Sequence, residues 1–111
     1  MGGVNRGELW TVAGGVYASK PRPALIVQDD RFRATGSVTV LPLTTVAVDA
    51  SLLRIPVRAN STTGIRQESF VMVDKLTTVR RSNVQERVGR IPAAVLVDIE
   101  RSLMVFLGLA D

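Results

Sequence analysis

Polar and apolar positions alternate along most of the chain with the two-residue period of a half-buried strand, and only the last segment changes rhythm. Gly7-Glu8-Leu9-Trp10-Thr11-Val12 alternates roughly and runs into Gly14-Gly15, which predicts a strand followed by a flexible loop lasting to Pro21. Pro23-Ala24-Leu25-Ile26-Val27-Gln28 is a nearly continuous apolar run, too short for a helix and rich in branched residues. It predicts a buried central strand that Asp29-Asp30 ends. After a polar turn with Gly36, Ser37-Val38-Thr39-Val40-Leu41-Pro42-Leu43 alternates cleanly, with Pro42 implying an edge or a bulge near the end of that strand. Arg54-Ile55-Pro56-Val57-Arg58 and Ser69-Phe70-Val71-Met72-Val73-Asp74 are strand-like and are separated by the turn-rich Asn60-Ser61-Thr62-Thr63-Gly64. Leu76-Thr77-Thr78-Val79 and Arg87-Val88-Gly89-Arg90-Ile91 predict two further short strands.

From Pro92, a residue favoured in the first turn of a helix, Leu96, Ile99, Leu103 and Phe106 recur at three- and four-residue steps until Gly108, which suits a helix stop. This predicts one amphipathic helix of about four turns. Several short strands closed by one terminal helix define a mostly β fold, a compact barrel with the helix packed against it. The helix also carries Val95, Val97, Met104 and Val105, an apolar surface broader than one packing stripe. Either a subunit interface or a deep barrel contact accounts for the excess.

Length adds that residues 1–111 form a single domain, since domains cluster at about 100–150 residues. Hydrophobic residues make up 46% of the chain and charged residues 22%, the balance of a folding sequence rather than a disordered one. No apolar run approaches the length of a membrane span, and the opening Met-Gly-Gly-Val-Asn-Arg-Gly-Glu has no signal-peptide core, so the expectation is a soluble, cytoplasmic protein without membrane association. With no cysteine and no histidine, thiolate and imidazole metal sites are excluded, as is the commonest general base. No metal or other cofactor is expected. Adjacent carboxylates occur only at Asp29-Asp30, which reads more simply as a turn than as a metal site. Lysine and arginine number 14 against 10 acidic residues, and 12 of the 14 are arginine. The guanidinium fork matches phosphate oxygens, which moves a nucleic-acid partner modestly ahead of a merely solvated surface.

Read in order, Arg6-Gly7-Glu8-Leu9-Trp10, Arg22-Pro23-Ala24-Leu25-Ile26-Val27-Gln28, Pro42-Leu43-Thr44-Thr45, Asp74-Lys75-Leu76-Thr77-Thr78-Val79 and Val88-Gly89-Arg90-Ile91-Pro92 resemble the MazF/PemK family of ribosome-independent ribonuclease toxins. The resemblance covers nearly the whole chain. It implies an SH3-like barrel of the CcdB/PemK/MazF type, usually a homodimer, that cuts single-stranded RNA at short specific sequences and leaves a 2′,3′-cyclic phosphate and a 5′-hydroxyl. Messenger, ribosomal or transfer RNA would be the target. It also implies an acidic MazE-like antitoxin lying across the RNA groove. Two departures stand out: the loop from Ala13 to Lys20 is short and lacks an acidic segment, and Thr77 takes the place of a frequent arginine.

Cleavage of RNA by its own 2′-hydroxyl requires in-line alignment and stabilisation of charge on a five-coordinate phosphorus. Arg22, between a loop and a buried strand, suits the second task; without the resemblance it would read as a solvated arginine before proline. Thr44 matches the family's threonine and enters as the second catalytic residue, although threonines at strand ends more often cap turns. Thr45 enters as a substrate contact. Asp74 resembles an acidic position that family members place near the groove, where a carboxylate raised in pKa by burial would accept the 2′-proton; pairing with a nearby arginine is an equal alternative. Lys20, Arg31, Ser69, Lys75, Arg80 and Arg81 are candidate RNA contacts, against the background that most surface charges bind nothing. Of the five aromatics, Phe106 is assigned to the helix core, and Tyr17 and Phe32, in predicted loops, to base stacking. The rival class is a CcdB-like toxin without nuclease activity that targets DNA gyrase; the ending Gly108-Leu109-Ala110-Asp111 does not resemble the Trp-Gly-Ile ending of that branch. An SH3-like peptide adapter would need clustered aromatics, which the chain lacks.

Overall fold

The computed structural model describes residues 3–14, 20–49 and 52–110, and Tyr17 lies outside them. Seven antiparallel strands precede one helix: β1 (Glu8–Val12), β2 (Arg22–Ile26), β3 (Ser37–Thr44), β4 (Arg54–Val57), β5 (Ser69–Met72), β6 (Thr77–Arg80), β7 (Val84–Arg90) and α1 (Ala93–Phe106). Short 3-10 turns at Asp30–Phe32, Val73–Lys75 and Arg81–Asn83 link them. The mostly β architecture with a terminal helix is the one expected. Strands run in the order β4-β5-β3-β2-β1-β7, with β6 also paired to β3.

β3 organises the sheet. Its first half pairs with β6 (Val38 opposite Val79), its last residues pair with β5 (Leu43 opposite Val71), and its other edge pairs with β2 (Leu41 opposite Leu25). Pro42 therefore lies in a three-partner strand, not on the edge that its residue type suggested. The register shows why this is tolerated. Thr39 accepts from the Val27 N–H and donates to Gln28 Oε1, so odd-numbered residues of β3 turn their backbone groups toward β2. Pro42 faces the opposite side, in the gap between the β6 pairing, which reaches Val40 opposite Thr77, and the β5 pairing, which starts at Leu43 opposite Val71, so its missing N–H interrupts neither ladder.

Both faces of the central strands are buried, which explains the continuous apolar run in β2. Leu9, Leu25, Leu41, Val71, Ile91 and Ile99 pack in one cluster, with Val95, Leu96 and Leu103 of α1 against it. Ala24, Ile26, Val38, Val40 and Val12 pack in a second. Adjacent residues such as Leu25 and Ile26 point to opposite faces and enter different clusters. Phe106 departs from expectation. It is 45% exposed and belongs to neither cluster, because the buried stripe of α1 follows Ile99 and Ser102, with Ser102 Oγ donating to the Leu52 carbonyl. Phe106 falls on the outer side, with Val97, Met104 and Val105.

The opening Arg6-Gly7-Glu8-Leu9-Trp10 segment ties these layers together. The Arg6 guanidinium donates to the Val27 carbonyl and pairs with Glu100 of α1. Gly7 donates to the Ile26 carbonyl at 2.9 Å and accepts from the Ile91 N–H at 2.8 Å. Glu8 accepts from the Asn5 N–H, Trp10 Nε1 and Arg87 Nε at 2.8, 3.0 and 2.9 Å. Burial pushes the Glu8 carboxyl up, but these donors together hold it below its ordinary value. The segment is structural: it joins the N-terminus, β2, β7 and the helix.

Candidate active-site groove

The β2–β3 register runs from Ile26 opposite Val40 to Ala24 opposite Pro42; just beyond it, Arg22 opens β2 and Thr44 closes β3. Arg22 pairs with Val12 at the end of β1, which holds its backbone. An open groove of about 570 Å³ lies here, lined by residues 20–23, 43–45, 64–67 and 69 with Thr11 and Val88. Among the described residues it holds three cations, Lys20, Arg22 and Arg66, and no carboxylate. Arg22 is exposed and takes part in no ion pair among the described residues.

The Thr44 hydroxyl accepts from the Val46 N–H at 3.1 Å, the turn-capping contact typical of a strand-end threonine. Because it acts there as an acceptor, its own proton is left to donate. Thr45 lines the same groove. Ser69 lines it too, yet it is buried and its hydroxyl donates to the Gln67 carbonyl at 3.0 Å, so it braces the neighbouring backbone.

The other described candidates do not line the groove. Asp74 sits in the 3-10 turn after β5, not at a strand end, and accepts from Arg54 Nη1. Burial pushes its carboxyl up, but the hydrogen bond and charge of Arg54 outweigh that, and the net displacement is downward. Asp74 is thus placed in the pairing alternative, beside Arg54 and outside the groove lining. Arg31 is paired with Asp29 at 3.1 Å and lies 5.6 Å from the centre of the exposed Phe32 ring. Arg81 donates to the Thr35 carbonyl at 2.7 Å and to the Arg33 carbonyl, beside a second cavity bordered by Trp10 and Arg33. Lys75 and Arg80 do not line the groove.

Arg66, Gln67, Thr11 and Gly64 are groove residues that the sequence did not single out. The stretch before β5 reads only as turn-rich, and nothing local shows where it goes. In the structure it crosses β7. Arg90 N–H bonds to the Thr62 carbonyl at 3.0 Å, and Thr63, buried, donates to the Arg58 carbonyl at 2.7 Å. A Cβ on Gly89 would stand 2.3 Å from the Thr63 carbonyl oxygen, and one on Gly64 2.0 Å from that of Val88. Only glycine at both places lets the backbones approach so closely.

Fold and groove define a small antiparallel β protein with an open, arginine-bearing cleft that suits an anionic chain. The profile of the PemK-like, MazF-like toxins of type II toxin-antitoxin systems matches residues 5–107, and the chain belongs to that family. It is 51% identical over 108 residues to a probable endoribonuclease MazF of Mycolicibacterium smegmatis, a match that covers 96% of this chain and 99% of the relative. Two solved structures share the fold. The Mycobacterium tuberculosis toxin MazF-mt6 superposes with a TM-score of 0.81 at 23% identity, covering 94% of this chain and 99% of its own. A mycobacterial endoribonuclease in complex with its cognate antitoxin gives 0.78 at 21%, covering 100% and 99%. The family match favours the nuclease branch over the CcdB-like gyrase poison. Among the described residues, no helix is long and apolar enough to cross a membrane.

Proposed function

We propose that this protein is an endoribonuclease toxin that cuts single-stranded RNA through attack of the substrate's own 2′-oxygen. The observation that supports the reading is that Arg22 and Thr44 line one cationic groove, with no carboxylate among its described lining residues. The 2′-oxygen forms a bond to phosphorus as the bond to the 5′-oxygen breaks. The 2′-proton is lost and the leaving 5′-oxygen gains one, giving a 2′,3′-cyclic phosphate and a 5′-hydroxyl. Arg22 donates to the non-bridging oxygens as their charge grows, and Thr44 donates its free hydroxyl proton to the same phosphate. Lys20 and Arg66 hold flanking phosphates. With no imidazole in the chain and no carboxylate among the described lining residues, catalysis rests on alignment and charge stabilisation, and protons exchange with water.

The relative's name, endoribonuclease, supports the activity, and the solved toxin–antitoxin complex supports an antitoxin partner. A groove lined by three cations suits an acidic antitoxin segment as well as RNA. The test is incubation of the purified protein with a long RNA in EDTA, beside Thr44→Ala and with an acidic antitoxin segment added. The expected result is discrete cuts with cyclic-phosphate ends, about a hundredfold fewer with Thr44→Ala and fewer again with the acidic segment. A folded wild-type protein that leaves a broad set of RNAs intact, or that cuts only when metal is restored, would overturn the reading.

The protein acts as a homodimer in this proposal. Val97, Met104, Phe106 and Leu109 are exposed along the outer side and end of α1, an unusual density of apolar side chains for a free helix surface. Phe106→Asp is expected to convert a dimer of the 12.0 kDa chain into monomer in sedimentation, with α1 still formed. A wild-type protein that sediments as monomer at all concentrations rules the dimer out.

A further inference from the structure

Phosphate contacts hold an RNA strand but carry no sequence information; a base edge must be read by a group offering donors and acceptors in a fixed geometry. Among the polar residues of the groove, Lys20, Arg22 and Arg66 are cations suited to phosphate. Thr11 and Thr44 use their hydroxyl oxygens as acceptors for the Glu86 and Val46 N–H groups, and the Ser69 hydroxyl proton is committed to the Gln67 carbonyl. Gln67 differs. Its side chain is exposed in the groove, and among the described residues no protein group bonds its amide.

The backbone that carries Gln67 is held from several directions. The Ser69 hydroxyl, itself 6% exposed, fixes the Gln67 carbonyl. The next residue, Glu68, accepts from the Ala59 N–H at 2.5 Å and so closes the loop on itself. Gly64 and Gly89 press the same loop against β7. A free amide on a braced backbone beside three phosphate-binding cations has the form of a base reader, because it presents one donor and one acceptor side by side.

We infer that Gln67 is a specificity-determining residue, its side-chain amide pairing with the edge of one unstacked base of the RNA, and that Ser69 is its positioning residue. The inference rests on the endoribonuclease reading and deepens it. An amide matches any base that offers an adjacent donor and acceptor, so it fixes the identity of one nucleotide and leaves the others to the rest of the groove.

The experiment maps cut sites of the wild-type protein on a long RNA, then measures competition between the preferred sequence and each single-base variant of it within one mixture. These ratios are compared for wild type, Gln67→Met and Ser69→Ala. Methionine keeps the length of the side chain and removes both hydrogen-bonding atoms, at an exposed position where folding is not at stake. Discrimination is expected to fall about tenfold at one nucleotide in Gln67→Met, the size of one lost bidentate base contact, with the other positions unchanged. Ser69→Ala should weaken discrimination at that same nucleotide by a smaller factor, which loss of stability alone would not do. Unchanged ratios at every position, or an equal fall at all of them, overturn the role of Gln67. Failure of the wild-type protein to cut any RNA defeats the functional reading instead, and the two failures are told apart in the first lane.

Discussion

Arg22→Ala is expected to lower RNA cleavage by about 10³-fold while leaving the fold intact, the largest functional effect of any single substitution in the groove. The side chain is exposed and unpaired among the described residues, so removing it breaks no contact that the fold uses. Its backbone is held against β1 by the Val12 pairing, so the donor waits in place and needs little rearrangement as charge develops on the phosphate. Arg22→Lys keeps the charge but loses the planar fork, and should recover only a small part of the rate. The measurement is single-turnover cleavage of an end-labelled RNA, with circular dichroism and melting as controls. A folded alanine variant that cuts at the wild-type rate would remove Arg22 from the mechanism and leave Arg66 as the groove's remaining arginine.

Gly64→Ala should give the largest loss of stability. Gly64 has φ +71°, a conformation that costs an alanine about 1 kcal/mol, and its added Cβ would stand 2.0 Å from the Val88 carbonyl oxygen. Backbone, not a flexible side-chain tip, is the obstacle, so relief requires the loop to lift from β7 at a further cost of about 2 kcal/mol. A total of about 3 kcal/mol corresponds to a melting-temperature drop on the order of 15 °C for a chain of this size. Gly36→Ala is the control, since a Cβ there meets nothing within 4 Å, and its melting curve should stay with the wild type. If Gly64→Ala melts with the wild type, the close crossing of the loop over β7 is wrong, and with it the placement of Arg66 and Gln67 in the groove.

Most of the strands and the helix were legible because each carries its period on its own residues. The β1 alternation, the β2 apolar run and the three- and four-residue steps of α1 survive into the structure with ends displaced by a few residues. β5 is the clearest displacement: it stops at Met72, and Val73–Lys75 turns into a 3-10 helix that carries Asp74 to Arg54. The site was half legible. Lys20, Arg22, Thr44, Thr45 and Ser69 line one groove, whereas Asp74, Arg31, Lys75, Arg80 and Arg81 do not. A charged side chain reads the same in sequence whether it meets a substrate, a carboxylate such as Asp29, or a backbone carbonyl such as that of Thr35. Phe106 was misassigned for a related reason. Apolar periodicity identifies the apolar positions of a helix, but not which of them a neighbouring layer covers.

By itself the sequence determined the local conformations, the arginine-rich charge, the absence of imidazole and thiol chemistry, and the order of segments that marks the family. Those properties depend on residue type and on spacings of a few positions, which the chain carries wherever it goes. Only the tertiary structure decided that Arg22 and Thr44 share one groove, and that Arg66 and Gln67 join them from a segment more than twenty residues further along. The first follows from β2–β3 pairing, and the second from the docking of a loop on β7 through two glycines and a buried threonine. Such contacts form between residues distant in the chain, where the free energy of packing the whole molecule, and not the preference of any one segment, selects the partner.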